Sequence, residues 1–178
     1  MDNKAPKLAT AKAVRLAPYT PEIAAQIANW AQKPANAEFF RRIPPLCDWL
    51  SPEGIRQLWE GSWVVYEDDR AVGLLTMQGL DVYARSCEIG ILVDNDSSAH
   101  RRVTVDQVTD FMADYLFNYR NLHKVYLKVL EGREKLVKIL ESKGFSQEAL
   151  LRDSCFFKGE YRNEYLLSCL KLEYKWAR

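Results

Sequence analysis

Residues 86–120, SCEIGILVDNDSSAHRRVTVDQVTDFMADYLFNYR, decide how this chain is read. The first eight, 86–93, are an apolar and β-branched run of strand length. From Val105 onward, Val108, Met112, Tyr115, Leu116 and Tyr119 recur at helical spacing and predict a long helix. Between strand and helix lies a polar loop without glycine. A strand–loop–helix junction is a natural anion site, because the first amides of a helix have no intrahelical partner. Such loops usually carry glycine, which lets the backbone approach the anion. The junction is therefore either an unusual ligand site or a closed one.

Working outward, the pattern repeats in both directions. Upstream, residues 13–20 alternate as a strand, and Thr20-Pro21 starts a helix over 21–33 with Ile23, Ile27 and Trp30 on one side. Ser51-Pro52-Glu53 opens a second helix, 51–61, with Ile55, Leu58 and Trp59 as its apolar stripe. SWVVYEDD and RAVGLLTMQGL then read as a hairpin about Asp68–Arg70. Downstream, 123–130 alternates as a strand, 134–145 is a short helix ending at Gly144, and the last strands flank a turn at Lys158–Gly159. The order β-α-α-β-β-β-α-β-α-β-β predicts an α+β domain: one mixed, mostly antiparallel sheet of about seven strands flanked by about four helices. Residues 1–12 read as a flexible lead without an apolar signal region, and 13–178 as one domain.

Composition narrows the function classes. The 178 residues suffice for a core, and 48% hydrophobic with 28% charged residues is ordinary for a globular protein. A formal net charge of +1 gives no electrostatic reason to expect nucleic acid or an anionic membrane as partner. Cys47, Cys87, Cys155 and Cys169 form no C-x-x-C pair and there are only two histidines, so no metal site is expected. Free buried thiols imply a reducing compartment, hence the cytoplasm.

These segments resemble the GNAT superfamily of acyl-CoA-dependent N-acyltransferases, and within it the ribosomal-protein N-terminal acetyltransferases. EIGILVD is similar to that branch's central strand, FNYRNLHKVYLKVLE to its helix end and fifth strand, and KILESKGF to the helix that ends in Gly-Phe. LLRDSCFFKGEYRNEYLLSCL resembles the closing hairpin, with Arg152, Asp153, Gly159 and Tyr161 in place. The resemblance runs over about 13–174. It implies the GNAT fold and an acetyl-CoA site held by the Ile91-Leu92-Val93 backbone and the loop before the third long helix. The family's Arg/Gln-x-x-Gly-x-Gly/Ala motif falls on His100, Arg101, Arg102, Val103, Thr104 and Val105, with valine at both small-residue positions. A cofactor-contacting asparagine falls on Arg133, and the tyrosine that protonates the leaving thiolate falls on Leu140.

The residues of the altered loop also read as a helix start in their own right. Thr104 as N-cap with Gln107 three residues on forms a capping box, with Val103 and Val108 as a hydrophobic staple. Asp106 then falls in the first helical turn, where its charge favours the helix and repels a diphosphate. On this reading the protein caps its own amides and the site is closed. Against it, His100, Arg101 and Arg102 form a cationic cluster able to grip phosphate, or a solvated loop balanced by Asp94 and Asp96.

Two functional expectations follow. The first is a GNAT-fold protein with a degraded acetyl-CoA site, non-catalytic or weakly active, serving a structural, assembly or regulatory role through a protein partner or self-association. The second is an active N-acetyltransferase moving acetyl from acetyl-CoA to a primary amine, with an atypical pyrophosphate loop. In the second, Glu88 is the candidate general base, sharing a strand face with Gly90 while Cys87, Ile89 and Ile91 face the other way. A weaker third is an acyl-CoA or nucleotide sensor built on the cationic loop. Trp30, Trp49, Trp59 and Trp63, with Phe39 and Phe40, are expected to pack a core or to shape an acceptor surface.

Overall fold

Seven strands of alternating or continuous apolar character form a single sheet in the order β1-β2-β3-β4-β5-β7-β6. This computed structural model describes residues 14–33, 36, 39, 61–67, 70–93 and 101–176, with the backbone alone at 14, 21 and 101–104. The strands are β1 (Val14–Pro18), β2 (Ser62–Glu67), β3 (Arg70–Asp81), β4 (Ser86–Val93), β5 (Lys124–Leu130), β6 (Ser146–Phe157) and β7 (Glu160–Leu170). The helices are α1 (Ala24–Gln32, after a 3₁₀ turn Pro21–Ile23), α2 (Arg101–Ala113), which runs on as a π-helical segment Asp114–Tyr119, and α3 (Glu134–Ser142). Of the expected helix 51–61, residues 51–60 lie outside the described residues, as do Trp49, Phe40, Cys47 and the tip of the β2–β3 hairpin.

Every neighbouring pair in the sheet is antiparallel except β4–β5. That pair must be parallel because α2 carries the chain back across the sheet before β5 begins. The hairpin β6–β7 turns on Lys158 (φ +53°) and Gly159 (φ +87°), two residues at positive φ as a tight hairpin demands.

The two faces are covered unequally. On one face Val65, Leu75, Cys87, Ile89, Val125, Leu127 and Leu167 pack against Val108, Met112, Leu116 and Phe117 of the α2 stretch and Leu140 of α3. On the other face α1 contributes Ile27, Trp30 and Ala31 to a second core with Val64, Leu74 and Leu92. This second core involves β2 to β4 and, among the described residues, none from β5 to β7. The opposite face of those strands carries polar side chains instead, and the site lies there.

Two helical readings need correction. The helix begins at Arg101, so Thr104 is its fourth residue and not its cap, and Asp106 lies in its second turn. The predicted stripe holds through Leu116, but Tyr119 is 78% exposed. The π-helical turn takes more residues per turn, so each residue from Asp114 onward advances less about the axis, and Tyr119 falls off the buried face.

Candidate active site

The parallel pair β4–β5 is short. Its partners are Ser86↔Lys124, Cys87↔Val125 and Glu88↔Tyr126, and the pairing stops there. Beyond Glu88, β4 stays bonded to β3 as far as Val93, and beyond Tyr126, β5 stays bonded to β7 as far as Leu130. The two strands therefore part in a V with Glu88 at its apex. From Ile89 to Val93 the β5-facing backbone of β4 has no strand partner among the described residues. Such an edge offers N–H and C=O groups to an extended ligand. Ile91, Leu92 and Val93 lie along it.

A cleft of about 390 Å³ opens at the apex, lined by Gln78, Glu88, Lys128, Ser154, Cys155, Phe156 and Glu164. Strand alternation explains the set. Val125, Leu127 and Val129 are buried in the core, which turns Tyr126 and Lys128 to the cleft face. Cys87 and Ile89 are buried likewise, which turns Glu88 and Gly90 the same way. Lys128 Nζ donates to Glu88 Oε2 at 3.3 Å, with side chains 33% and 19% exposed. Across the cleft Glu164 is 3% exposed, and its Oε2 accepts from Ser154 Oγ at 2.7 Å. Burial pushes the Tyr126 phenol above its ordinary range, and the neighbouring Glu88 charge adds to the shift. Gly90 is needed beside the cleft, since a Cβ there would crowd Thr76 Oγ1 and the Phe39 ring.

The other predicted residues divide. His100 lies outside the described residues, while Arg101, Arg102, Val103 and Thr104 form the first turn of α2. They are the first described residues of the helix, and the amides of a helix's first turn have no intrahelical partner. Val105 is buried. Gln107 does not serve as a capping-box partner: its Oε1 is buried without a hydrogen-bond partner. Arg133 precedes α3, and its carbonyl accepts from the Leu136 and Val137 amides. Leu140 is fully buried in the main core.

Cys87, Cys155 and Cys169 are buried free thiols. Burial pushes Cys87 up to about 11 and Cys169 up to about 12, which suits packing and not nucleophilic attack. Trp30 is core, and Trp63 packs edge-on against Tyr115 at 4.9 Å. His123 is exposed and donates its amide to the Arg85 carbonyl at 2.7 Å. Among the described residues no cluster of metal-ligating side chains is found, and no helix is long and apolar enough to cross a membrane.

Sequence reasoning missed Lys128, Glu164 and Gln78. Alternation in KVYLKVL was sufficient to place Lys128 opposite the core. That it meets Glu88 depends on a strand pairing across forty residues of chain.

Comparison with known proteins adds the following. The family model described as "Acetyltransferase (GNAT) domain" matches residues 4–166. A spermidine N(1)-acetyltransferase of Escherichia coli (strain K12) is 28% identical over 145 residues, covering 82% of this chain and 74% of that protein. A protein of Bacillus licheniformis named uncharacterized N-acetyltransferase p20 is 31% identical over 125 residues, covering 70% of this chain and 68% of its own. Among solved structures, the Vibrio cholerae spermidine N-acetyltransferase in complex with CoA and spermine superposes with a TM-score of 0.76 at 21% identity, covering 90% of this chain and 97% of that one. The relatives named for a substrate are spermidine acetyltransferases, so the comparisons do not single out the ribosomal-protein branch.

Proposed function

The chain belongs to the GNAT acetyltransferase family, and from that premise we propose that it is an acetyl-CoA-dependent N-acetyltransferase acting on a primary amine. The observation that carries this reading is the V between β4 and β5 with a carboxylate at its apex. The residues present fit an acetyl thioester of coenzyme A. The open β4 edge at Ile89–Val93 matches an amide-bearing arm, and the first turn of α2 offers helix amides to its phosphates. When bound, acetyl-CoA supplies the acyl group as a thioester.

The protein's own residues do the rest. Glu88 takes a proton from the acceptor ammonium and frees its nitrogen lone pair. With acetyl-CoA bound, balance would require the amine nitrogen to lose two protons as its N–C bond forms, one to Glu88 and the second to the sulfur, which would leave as a thiol as the C–S bond breaks. Gln78 and Lys128 flank the nitrogen, and Glu164 supplies the second acidic wall. The family's usual tyrosine acid is absent, since Leu140 lies in the core.

Substitution at Val103, Val105, Arg133 and Leu140 supports a second reading, in which the chain has lost catalysis and works through a protein partner or by self-association. Its capping-box argument fails, because α2 starts three residues before Thr104. Calorimetric titration of acetyl-CoA separates the two. Micromolar binding followed by acetylation of amines supports the enzyme; no binding at millimolar ligand supports the second reading.

A further inference from the structure

We propose that Lys128 makes the acceptor site one for an aminocarboxylate, a molecule with a single ammonium and a carboxylate close to it. This rests on the acetyltransferase reading and deepens it. Lys128 Nζ lies 3.3 Å from Glu88 Oε2, so any ammonium that reaches Glu88 arrives beside a fixed positive charge. The pair is only 33% and 19% exposed, so water screens it weakly.

A single ammonium is met by Glu88, with the Glu164 carboxylate of β7 lining the same cleft. A second ammonium on the same acceptor meets Lys128 and is repelled. An acceptor carboxylate has the opposite effect: as the acceptor ammonium replaces Lys128 on Glu88, the carboxylate takes up Lys128. The Lys128–Glu88 ion pair is thus exchanged for two, and neither Lys128 nor Glu88 loses charge pairing on binding. Gln78, paired with Glu88 across β3 and β4, brings a second donor for that carboxylate to the cleft. The cleft volume, about 390 Å³, is that of a small acceptor. The acidic residues thus set the reaction, and Lys128 beside them sets the acceptor class.

The test is thiol release from acetyl-CoA by the full chain, comparing a panel of α-, β- and γ-aminocarboxylates with a simple alkylamine and with spermidine. The best aminocarboxylate is expected to exceed spermidine at least tenfold in kcat/KM. Lys128→Met should lower aminocarboxylate kcat/KM about tenfold, chiefly through KM, while raising use of spermidine. Lys128→Gln, polar and uncharged, should do the same if the methionine variant fails to fold. Preference of the native chain for spermidine, or equal effects of both variants on all amines, overturns the inference while leaving the enzyme reading intact. Failure to acetylate any amine overturns both.

Discussion

Glu88 sits where the two parallel strands part, and its place follows from two buried neighbours. Cys87 and Ile89 are drawn into the core, so the side chain between them has only the cleft to enter. If Glu88 is the base, Glu88→Gln should lower kcat by about 10²–10⁴-fold while acetyl-CoA affinity in calorimetry stays within about twofold. An unchanged kcat would remove Glu88 from the chemistry. This much was readable from period-two alternation alone. Its ion pair with Lys128 was not. Nothing local to either strand records that pairing. Leu140 shows the reverse case. Its departure from the family pattern was visible in the sequence, but its full burial was not. Leu140→Tyr should therefore cost about 1–3 kcal/mol by overpacking, read as a lower urea midpoint. A midpoint equal to the native chain's would mean that the site has room for the hydroxyl-bearing ring.

At the scale of elements, α2 teaches why a local motif misleads. Thr-x-x-Gln before a valine is a sound capping-box signature, yet the helix continues one turn further toward the N-terminus. The signature competes with ordinary helix propagation, and arginine at 101 and 102 propagates well. The interior of the helix is secure: Thr109 Oγ1 donates to the Val105 carbonyl at 2.6 Å, and Val105, Val108 and Met112 are buried. A threonine at an N-cap and one within a helix respond differently to truncation. Thr104→Ala should change stability by no more than about 0.5 kcal/mol, because alanine has the higher helix propensity. Loss of a true cap would cost about 0.5–2 kcal/mol. A loss of more than 1 kcal/mol in urea unfolding would restore the capping box and with it the closed site. The π-helical turn at Asp114–Tyr119 had no sequence signal at all, since periodicity assumes a constant angle per residue.

At the scale of the whole molecule, the succession of strands and helices along the chain and the hairpins were readable because each element's period, turn residues and resemblance agreed. The strap that closes the domain was not. After β7 the chain crosses back over the ends of α2 and α3, and Gly144 (φ +99°) makes room for it, since a Cβ there would strike the Glu173 carbonyl. Tyr174, 5% exposed, donates to Asp110 Oδ1 at 2.5 Å, and Lys143 Nζ holds the other oxygen at 2.8 Å. Tyr174 also packs on Phe117 and Trp176. The hydroxyl joins residues 64 apart, so no window of sequence contains both partners. Tyr174→Phe should cost about 1.5–3 kcal/mol near neutral pH, the usual worth of a hydrogen bond to a charged group.

The pH dependence gives the strap a sharper test. Burial, then the bond and charge of Asp110, push the Tyr174 phenol well above its ordinary value. The folded state therefore keeps this proton where the unfolded chain, with a tyrosine near pKa 10, releases it. A folded pKa raised in this way contributes stability that is complete below about pH 10 and is lost as pH rises further. Cys87, raised to about 11, and Cys169, raised to about 12, add losses of the same sign that begin near the ordinary thiol range. Urea midpoints should accordingly fall steadily between pH 9 and pH 11. Tyr174→Phe should start lower and fall less over the last part of that range, because it lacks the strap's share and keeps only that of the thiols and other phenols. Parallel curves for the two proteins would show that Tyr174 does not carry the alkaline loss, and that the strap is held by its packing alone.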